Sequence, residues 1–560
     1  MTATATTPPL PASARPALPA DWPMRLACLL IALLALAPLA ALLWHALGGD
    51  WQHWAHQFTY VLPTAARNTL WLLAGVAVLV TLIGTGAAWL VTAYRFPGRG
   101  VLVWALLLPM AMPSYVMAYA YLDLLHPIGP VQTLLREWLG YSSAREWRLP
   151  DVRSLPGAMA LLALVLYPYV YLSTRFMFMS QSASLLEAAR SLGCTAASAF
   201  WRVALPLARP AIAVGLSLAL LETLNDIGAS EFLGVRTMTV AVYTTWVARS
   251  DLGGAAQMAL LMLVLVVGLI LLERRARQRQ RFATTQRMRP MQPKTLRGAP
   301  ALLALGLGSL PVLLGFLAPA GYLAYAGIRR MEQSPISPEL WQSLFNTLAI
   351  ACAATLVALA LGLLLAWQAR VRVQGQRAAW ASACARIASL GYAIPGTILA
   401  IGLLTPLALA DNALSALLRD SRLWLMGSMA AIVLACTLRF LAVTVGSLEA
   451  GLSRIPPSLE QAARLLGHGS AATLRRVHLP LLKPALAAGA LLVFVDTMKE
   501  LPATLLLRPL NLDTLATRLY AEAARGTYEE GAIAALAIVL AGLLPVILLA
   551  RTRMAVDAAA

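Results

Sequence analysis

The sequence predicts an all-α membrane protein of about twelve transmembrane helices, arranged as two tandem six-helix repeats. Three observations predict it. The 560 residues are 59% hydrophobic and only 12% charged, against about 25% charged in an ordinary soluble domain. Apolar runs long enough to cross a bilayer recur along the whole chain. A block in the first half also returns in the second with its arginines, glycines and prolines in place.

The spans come first. A helix rises about 1.5 Å per residue, so about 20 apolar residues cross a hydrocarbon core of roughly 30 Å. Uncharged runs of that order lie at 26–47, 68–92, 101–122, 155–174 and 252–272, and again at 299–328, 346–369, 387–410 and 531–550. A further run, 423–448, is interrupted by Arg439 alone. Two more segments begin apolar and then meet an acid: Pro210 to Leu221 reaches Glu222, and Pro484 to Val495 reaches Asp496. The expected division is a flexible cytoplasmic tail at 1–25, a first repeat at 26–272 and a basic linker at 273–300, followed by a second repeat at 301–550 and a short tail at 551–560.

Charge sets the orientation. The net charge of +19 would suggest nucleic acid in a soluble protein, but here the basic residues are gathered between apolar blocks, as topology signals are. Residues 274–297 hold nine basic side chains and no acid. Arg95, Arg99, Arg370, Arg372, Arg377, Arg551 and Arg553 also follow even-numbered spans. Both termini are therefore expected in the cytoplasm, with lipid and not nucleic acid as the surrounding partner. Loop 126–155 mixes four arginines with three acids and is expected outside, long enough for a short helix against a partner.

The repeat is direct. Residues 188–215 and 462–489 agree at fifteen of 28 positions without a gap, and Asn68-Thr69-Leu70 matches Asn346-Thr347-Leu348. Six spans per half let both copies enter the membrane in one direction, so the expected symmetry is a pseudo-twofold axis along the membrane normal with a pore between the halves.

Each repeated block lies between an even and an odd span. In the first, Glu187, Ala188 and Ala189 are followed by Gly193, Val203, Leu205 and Pro206. In the second, Gln461, Ala462 and Ala463 are followed by Gly467, Val477, Leu479 and Pro480. Ala-rich sequence with Glu and Arg favours helix, Gly allows a sharp turn and close backbone approach, and Pro is expected to end one element before the next span. The product is a short helix across the base of the bundle, suited to dock in a groove of a cytoplasmic partner. This pattern resembles the EAA loop of ABC-importer permeases, with Val in place of the usual Ile. The resemblance implies a permease fold of the MetI-like type and two docking sites for a cytoplasmic ABC ATPase. In the second half Gln461 replaces the motif's Glu, with Glu460 one residue earlier, so docking there uses Glu460 or a neutral contact.

The three lysines, Lys294, Lys483 and Lys499, do not follow Gly, so no phosphate-binding G-x-x-x-x-G-K-[ST] loop exists. No Ser/His/Asp order, HExxH or cofactor fingerprint is found either. The chain is expected to be no enzyme and to bind no cofactor, with ATP and Mg held by the partner. Cys28, Cys194, Cys352, Cys384 and Cys436 show no CxxC spacing and predict neither disulfide nor metal site.

Ionisable groups at membrane depth are costly and mark pathways. Glu222 and Asp496 occupy matching positions, as do Asp226 and Glu500 four residues on; at i, i+4 each pair is expected to share a helix face. Glu231 and Lys499 lie near them. These six residues are the candidate translocation path, the alternative being acids at helix ends facing external water. His53 and His56, with Trp51 and Trp54, follow span one. The spacing suits a metal contact, but interfacial aromatics and histidines are commoner there, and an interfacial girdle is the expectation.

Residues 221–246 and 494–520 resemble fused permeases of ferric-iron ABC importers. That implies cargo delivered by a periplasmic binding protein, docking on loops such as 126–155 and 501–530. Fused thiamine, polyamine and phosphonate permeases share the architecture, and a twelve-span secondary transporter is the rival from another class.

Overall fold

The computed structural model describes residues 22–49, 51–180, 189, 191–278, 293–333, 335–370, 372–373, 376–377, 379–420 and 422–558. Eleven helices in it are long and apolar enough to cross a membrane, and a bent pair makes a twelfth span. Span one is Trp22–Gly48, span two His53–Ala93, span four Leu155–Met179, span five Ala197–Asn225 and span six Leu252–Arg275. Span seven is Ala299–Gln333, span eight Pro338–Arg370, span nine Gly396–Leu418, span ten Met429–Ser453, span eleven Ser470–Met498 and span twelve Tyr528–Leu548. The last helix runs on to Ala558.

Span three departs from the straight helix expected over 101–122. Arg99–Ala111 and Ser114–Leu124 meet at 93°. The cause is local: the residue before a proline is driven out of the helical region, and proline has no N–H to continue the ladder. Met112, before Pro113, has ψ 117, and Ile394, before Pro395, has ψ 124. Span nine therefore begins at Gly396, after a separate helix Ala379–Ala388 and a 3-10 turn Ser389–Ala393. Both breaks lie at the same place in the repeat.

Two contacts recur in each half. The Thr69 hydroxyl accepts from Met238 N (2.9 Å) while Asn68 Nδ2 donates to Arg236 O (3.2 Å). The Thr347 hydroxyl accepts from Leu515 N (2.9 Å) while Asn346 Nδ2 donates to Asp513 O (2.9 Å). The shared Asn-Thr pair thus ties the second span of each half to the start of the helix before the sixth. Gly84 and Gly362 give the second contact. A side chain on Gly84 would meet Val170 Cβ at 2.8 Å, and one on Gly362 would meet Thr444 Oγ1 at 2.5 Å. Small residues bring membrane helices into backbone contact where lipid offers no hydrophobic drive.

The halves are not side by side. Span one packs on Ala379–Ala388 and on span nine of the other half, close enough that a Cβ on Gly402 would fall 2.5 Å from Pro38 O. Span seven likewise crosses to the first half, where Tyr121 Oη donates to Leu314 O (2.6 Å) and Tyr322 Oη to Asp123 Oδ2. Each half is clasped by the other's first helix, which leaves the spans that follow free to meet at the centre.

The Asn-Thr ties predict a stability effect. Thr69→Val and Thr347→Val each leave a buried N–H without its acceptor, costing about 1–3 kcal/mol. Thermal unfolding in detergent should show a lowered midpoint for each, and the two losses should add, because they lie in separate halves.

Candidate functional site

The second of the two repeated loops is fully described. Pro457–Leu465 forms its helix, with Pro456 extended before it. Gly467 has φ +78, His468 N donates to Ala463 O (2.9 Å) and Gly467 N to Arg464 O (3.0 Å). That is a left-handed glycine closing a helix C-terminus. In the first loop Glu187 and Ala188 lie outside the described residues, but Gly193 has φ +85 and Cys194 N donates to Ala189 O (3.0 Å), the same closure. A Cβ would meet nothing within 4 Å at either glycine. Glycine is required there for its backbone, not for space.

Ala189 and Ala463 are buried against the bundle; Gln461 and Ala462 are exposed. Leu192 (85% exposed) and Leu466 (75%), which match in the repeat, project from the two loops. Glu460 faces inward. Its Oε1 is 2.5 Å from Arg370 Nε and 3.2 Å from His478 Nε2, and Arg370 also donates to Leu452 O and Ile455 O. Of the two contacts expected in this half, the charged one is thus engaged within the chain, and the neutral Gln461–Ala462 edge is the one presented. In the first half Thr92, Leu186 and Ala204 stand at the matching positions, so those three side chains do not repeat this charged cluster.

Leu205 and Pro206, like Leu479 and Pro480, do not follow a helix break. Span five runs through from Ala197 and span eleven from Ser470. Phe200–Ala204 and Leu474–His478 instead form wide π turns. Pro206 and Pro480 cannot donate to the carbonyl four residues back, so the ladder shifts by one residue and continues.

At the far ends of these helices lies a cavity of about 120 Å³ between the halves. Glu222, Asp226, Asp496, Lys499 and Glu500 line it, with Arg439, Asn225, Tyr169 and Tyr392. The expected i, i+4 faces do not form, because the helix ends before the second acid of each pair. Span five stops at Asn225, and Asp226 turns extended (ψ 123). Its carboxylate accepts from Ser230 N (2.8 Å), Ser230 Oγ (2.9 Å) and Ser114 Oγ (2.5 Å), capping the short helix Gly228–Phe232. Glu500 does the same for Pro502–Leu507, accepting from Ala503 N (2.8 Å) and pairing with Arg439 Nη1 at 2.6 Å. Asp496 pairs with Lys499 at 2.9 Å. Glu222 makes no hydrogen bond or ion pair among the described residues, and Arg439 and Lys499 line the same cavity. Glu231 stands apart, accepting from Tyr520 Oη (2.5 Å).

The halves touch here. Gly396 N donates to Asn225 Oδ1 (2.8 Å) and Tyr115 Oη to Lys499 O (3.3 Å), so each proline-broken third span meets the other half's fifth. Four acids face two cations, leaving the lining negative. Sequence reasoning named the acids and Lys499 but not Arg439, Tyr169 or Tyr392. Arg439 was signalled as the sole charge in its apolar run; the tyrosines carried no signal among other aromatics. No three His, Cys, Asp or Glu side chains among the described residues converge as a ready-made metal site. The cysteines at 28, 194, 352, 384 and 436 are all free.

On the opposite face loop 126–155 carries the helix Pro130–Leu139, with Trp138 (85% exposed) and Leu134 outward. Glu146, also exposed, is held below the ordinary carboxylate range by the N–H of Ser142.

The profile of the family described as "Binding-protein-dependent transport system inner membrane component" matches twice, at residues 80–282 and 374–555. The chain belongs to this family. It is a permease of the ABC-importer class, a multi-pass protein of the inner membrane, with the family's domain present once in each half. The Fe(3+)-transport system permease protein FbpB 2 of Haemophilus influenzae is 25% identical over 86% of this chain and 88% of that protein. A probable ABC transporter permease, y4fN of Sinorhizobium fredii, is 26% identical over 87% of each. The molybdenum transport system permease ModB of Escherichia coli is 30% identical, but over 35% of this chain and 84% of its own length. A bacterial alginate ABC transporter solved with its alginate-bound periplasmic protein is 19% identical, covering 44% of this chain and 91% of that one at a TM-score of 0.36.

The Arg439–Glu500 pair gives a sharp test. Arg439→Met strands a buried carboxylate and should cost about 3–5 kcal/mol, whereas Arg439→Met with Glu500→Gln removes both charges and should recover much of it. Unfolding of the purified permease in detergent measures both.

Proposed function

We propose that this permease imports ferric iron delivered by a periplasmic binding protein and driven by two copies of a cytoplasmic ABC ATPase. The observation that carries the iron reading is the lining of the central cavity, with Glu222, Asp226, Asp496 and Glu500 against Arg439 and Lys499. An excess of negative charge attracts a cation and repels the oxyanions that molybdate- or sulfate-type permeases carry. The likeness to a ferric-iron permease along 86% of the chain, against a molybdenum permease along 35%, supports the same choice.

The rest of the mechanism follows from the repeat. The ATPase, which holds ATP and Mg, docks on the loops around Ala189, Gly193, Leu192 and around Gln461, Ala462, Gly467, Leu466. Both termini lie on that cytoplasmic side. The binding protein docks outside on loops 126–155 and 501–530. ATP closes the motor, the two loops move together, spans five and eleven carry the motion to the cavity, and the halves part to pass cargo. The chain itself performs no hydrolysis and holds no cofactor.

ATP-dependent uptake into vesicles tests the cargo. Radiolabelled ferric iron should accumulate, and thiamine, putrescine, a phosphonate and molybdate should neither accumulate nor compete. Accumulation of any of these in place of iron would refute the reading. The coupling role has its own test. Gly193→Val with Gly467→Val forces side chains into left-handed backbone at roughly 1–2 kcal/mol each. Uptake should fall at least tenfold while the amount of permease in the membrane stays within twofold of wild type; normal uptake would count against the loops as couplers.

A further inference from the structure

We propose that the central cavity is a binding site for a hard, oxygen-seeking metal cation, formed by the phenol oxygens of Tyr169 and Tyr392 with the carboxylates of Glu222 and Asp496. This rests on the iron reading and adds to it a site with named ligands. The four side chains come from span four, the turn before span nine, span five and span eleven, two from each half, and all line one cavity. A metal held there bridges the halves and is released when they part.

The four acids of the cavity divide by use. Asp226 and Glu500 spend their oxygens on the N-termini of short helices and on Ser114, Ser230 and Arg439. They are structural. Glu222 has no hydrogen bond or ion pair among the described residues, and Asp496 has Lys499 alone. The hydroxyls of Tyr169 and Tyr392 likewise have no hydrogen-bond partner among the described residues, and both residues line the same cavity as Glu222 and Asp496. Both phenols line the cavity beside Glu222, which is unpaired among the described residues, and Asp496, which pairs only with Lys499 among them.

The repeat adds a second argument. Val443 stands at the position matching Tyr169, and Met110 at the position matching Tyr392. The packing of the repeat therefore accepts an apolar side chain at both places, and nothing in the shared architecture demands a tyrosine. Carboxylate and phenolate oxygens are the ligands that hard cations prefer over thiolate or imidazole. Each phenol that ligates the metal gives its proton to water.

Lys499 completes the site. Its counterpart in the first half is Asn225, so one tethered ammonium serves the whole cavity. It neutralises Asp496 at 2.9 Å, and a cation bound by Asp496 takes its place.

The test uses the full-length chain in lipid nanodiscs, titrated with ferric nitrilotriacetate and followed by the visible charge-transfer absorption that phenolate–iron(III) bonds produce. Wild type and Tyr167→Phe, a buried neighbour outside the cavity, should develop the band. Tyr169→Phe with Tyr392→Phe should lose it while eluting as wild type does on gel filtration. Lys499→Gln should half-saturate at several-fold lower iron. The same double variant, assembled with its ATPase in vesicles, should take up radiolabelled iron at least tenfold more slowly. Should that variant misfold, the single Tyr169→Phe and Tyr392→Phe variants, each expected to weaken the band, take its place. Iron uptake by wild type without a band, or with a band and an uptake rate unchanged in the variants, would overturn the site and leave the iron reading standing. Uptake of a different solute by wild type, and none of iron, would overturn both.

Discussion

Backbone hydrogen bonds run along a helix axis, so a helix carries an axial or lateral push from one end to the other with little compression. The segments Leu205–Asn225 and Leu479–Met498 are each about 30 Å of such rod. At one end of each lies a glycine-closed repeated loop, and at the other an acid of the central cavity. The motif proline, placed where it would be expected to break this rod, instead widens one turn into a π turn and leaves the helix continuous. Everything else depends on that continuity. The exchanged first spans clasp the halves from outside, the Asn-Thr ties fix each second span, and the broken third spans bring Gly396 and Tyr115 to the partner half at the cavity rim.

The halves are copies in their framework and differ in their chemistry. Both have the same glycine closure, π turn, proline break and helix-capping acid. In the second half Arg370, Glu460 and His478 stitch the loop helix to the ends of spans eight and eleven. The first half fills the matching positions with Thr92, Leu186 and Ala204. At the cavity the tyrosines and Lys499 are likewise unpaired by the repeat. Features shared by both halves belong to the common fold; those found in one half are where the duplicated scaffold has diverged.

Much of the fold was legible because hydrocarbon imposes a length and a composition on whatever crosses it. The twelve apolar runs, the duplicated loop and the turns at Gly193 and Gly467 are written in local sequence; that these glycines serve a left-handed backbone and not a close approach was not. The bend at Pro113 was legible in principle, since a residue before proline leaves the helix, but an unbroken run of apolar residues concealed it. The exchange of first spans was not legible: hydropathy says that a helix meets lipid and protein, and says nothing of which protein. The acids were found by their cost. Their division into caps and free groups was not, since Asp226 and Glu222 differ by whether the chain turns beneath them, which Ser114 and Ser230 decide. Tyr169 and Tyr392 looked like any interfacial aromatic until the cavity joined them.

The claim most open to direct attack is that motion at the loops reaches the cavity through rigid helices. Pulsed electron resonance on an otherwise cysteine-free permease, assembled with its ATPase, can follow two label pairs: one at Ala197 and Ala471 on the coupling loops, the other at Leu218 and Leu492 near the cavity. On binding a non-hydrolysable ATP analogue, the separation of the first pair should shorten and that of the second should shift with it. A loop pair that moves while the cavity pair keeps its distance would contradict the account.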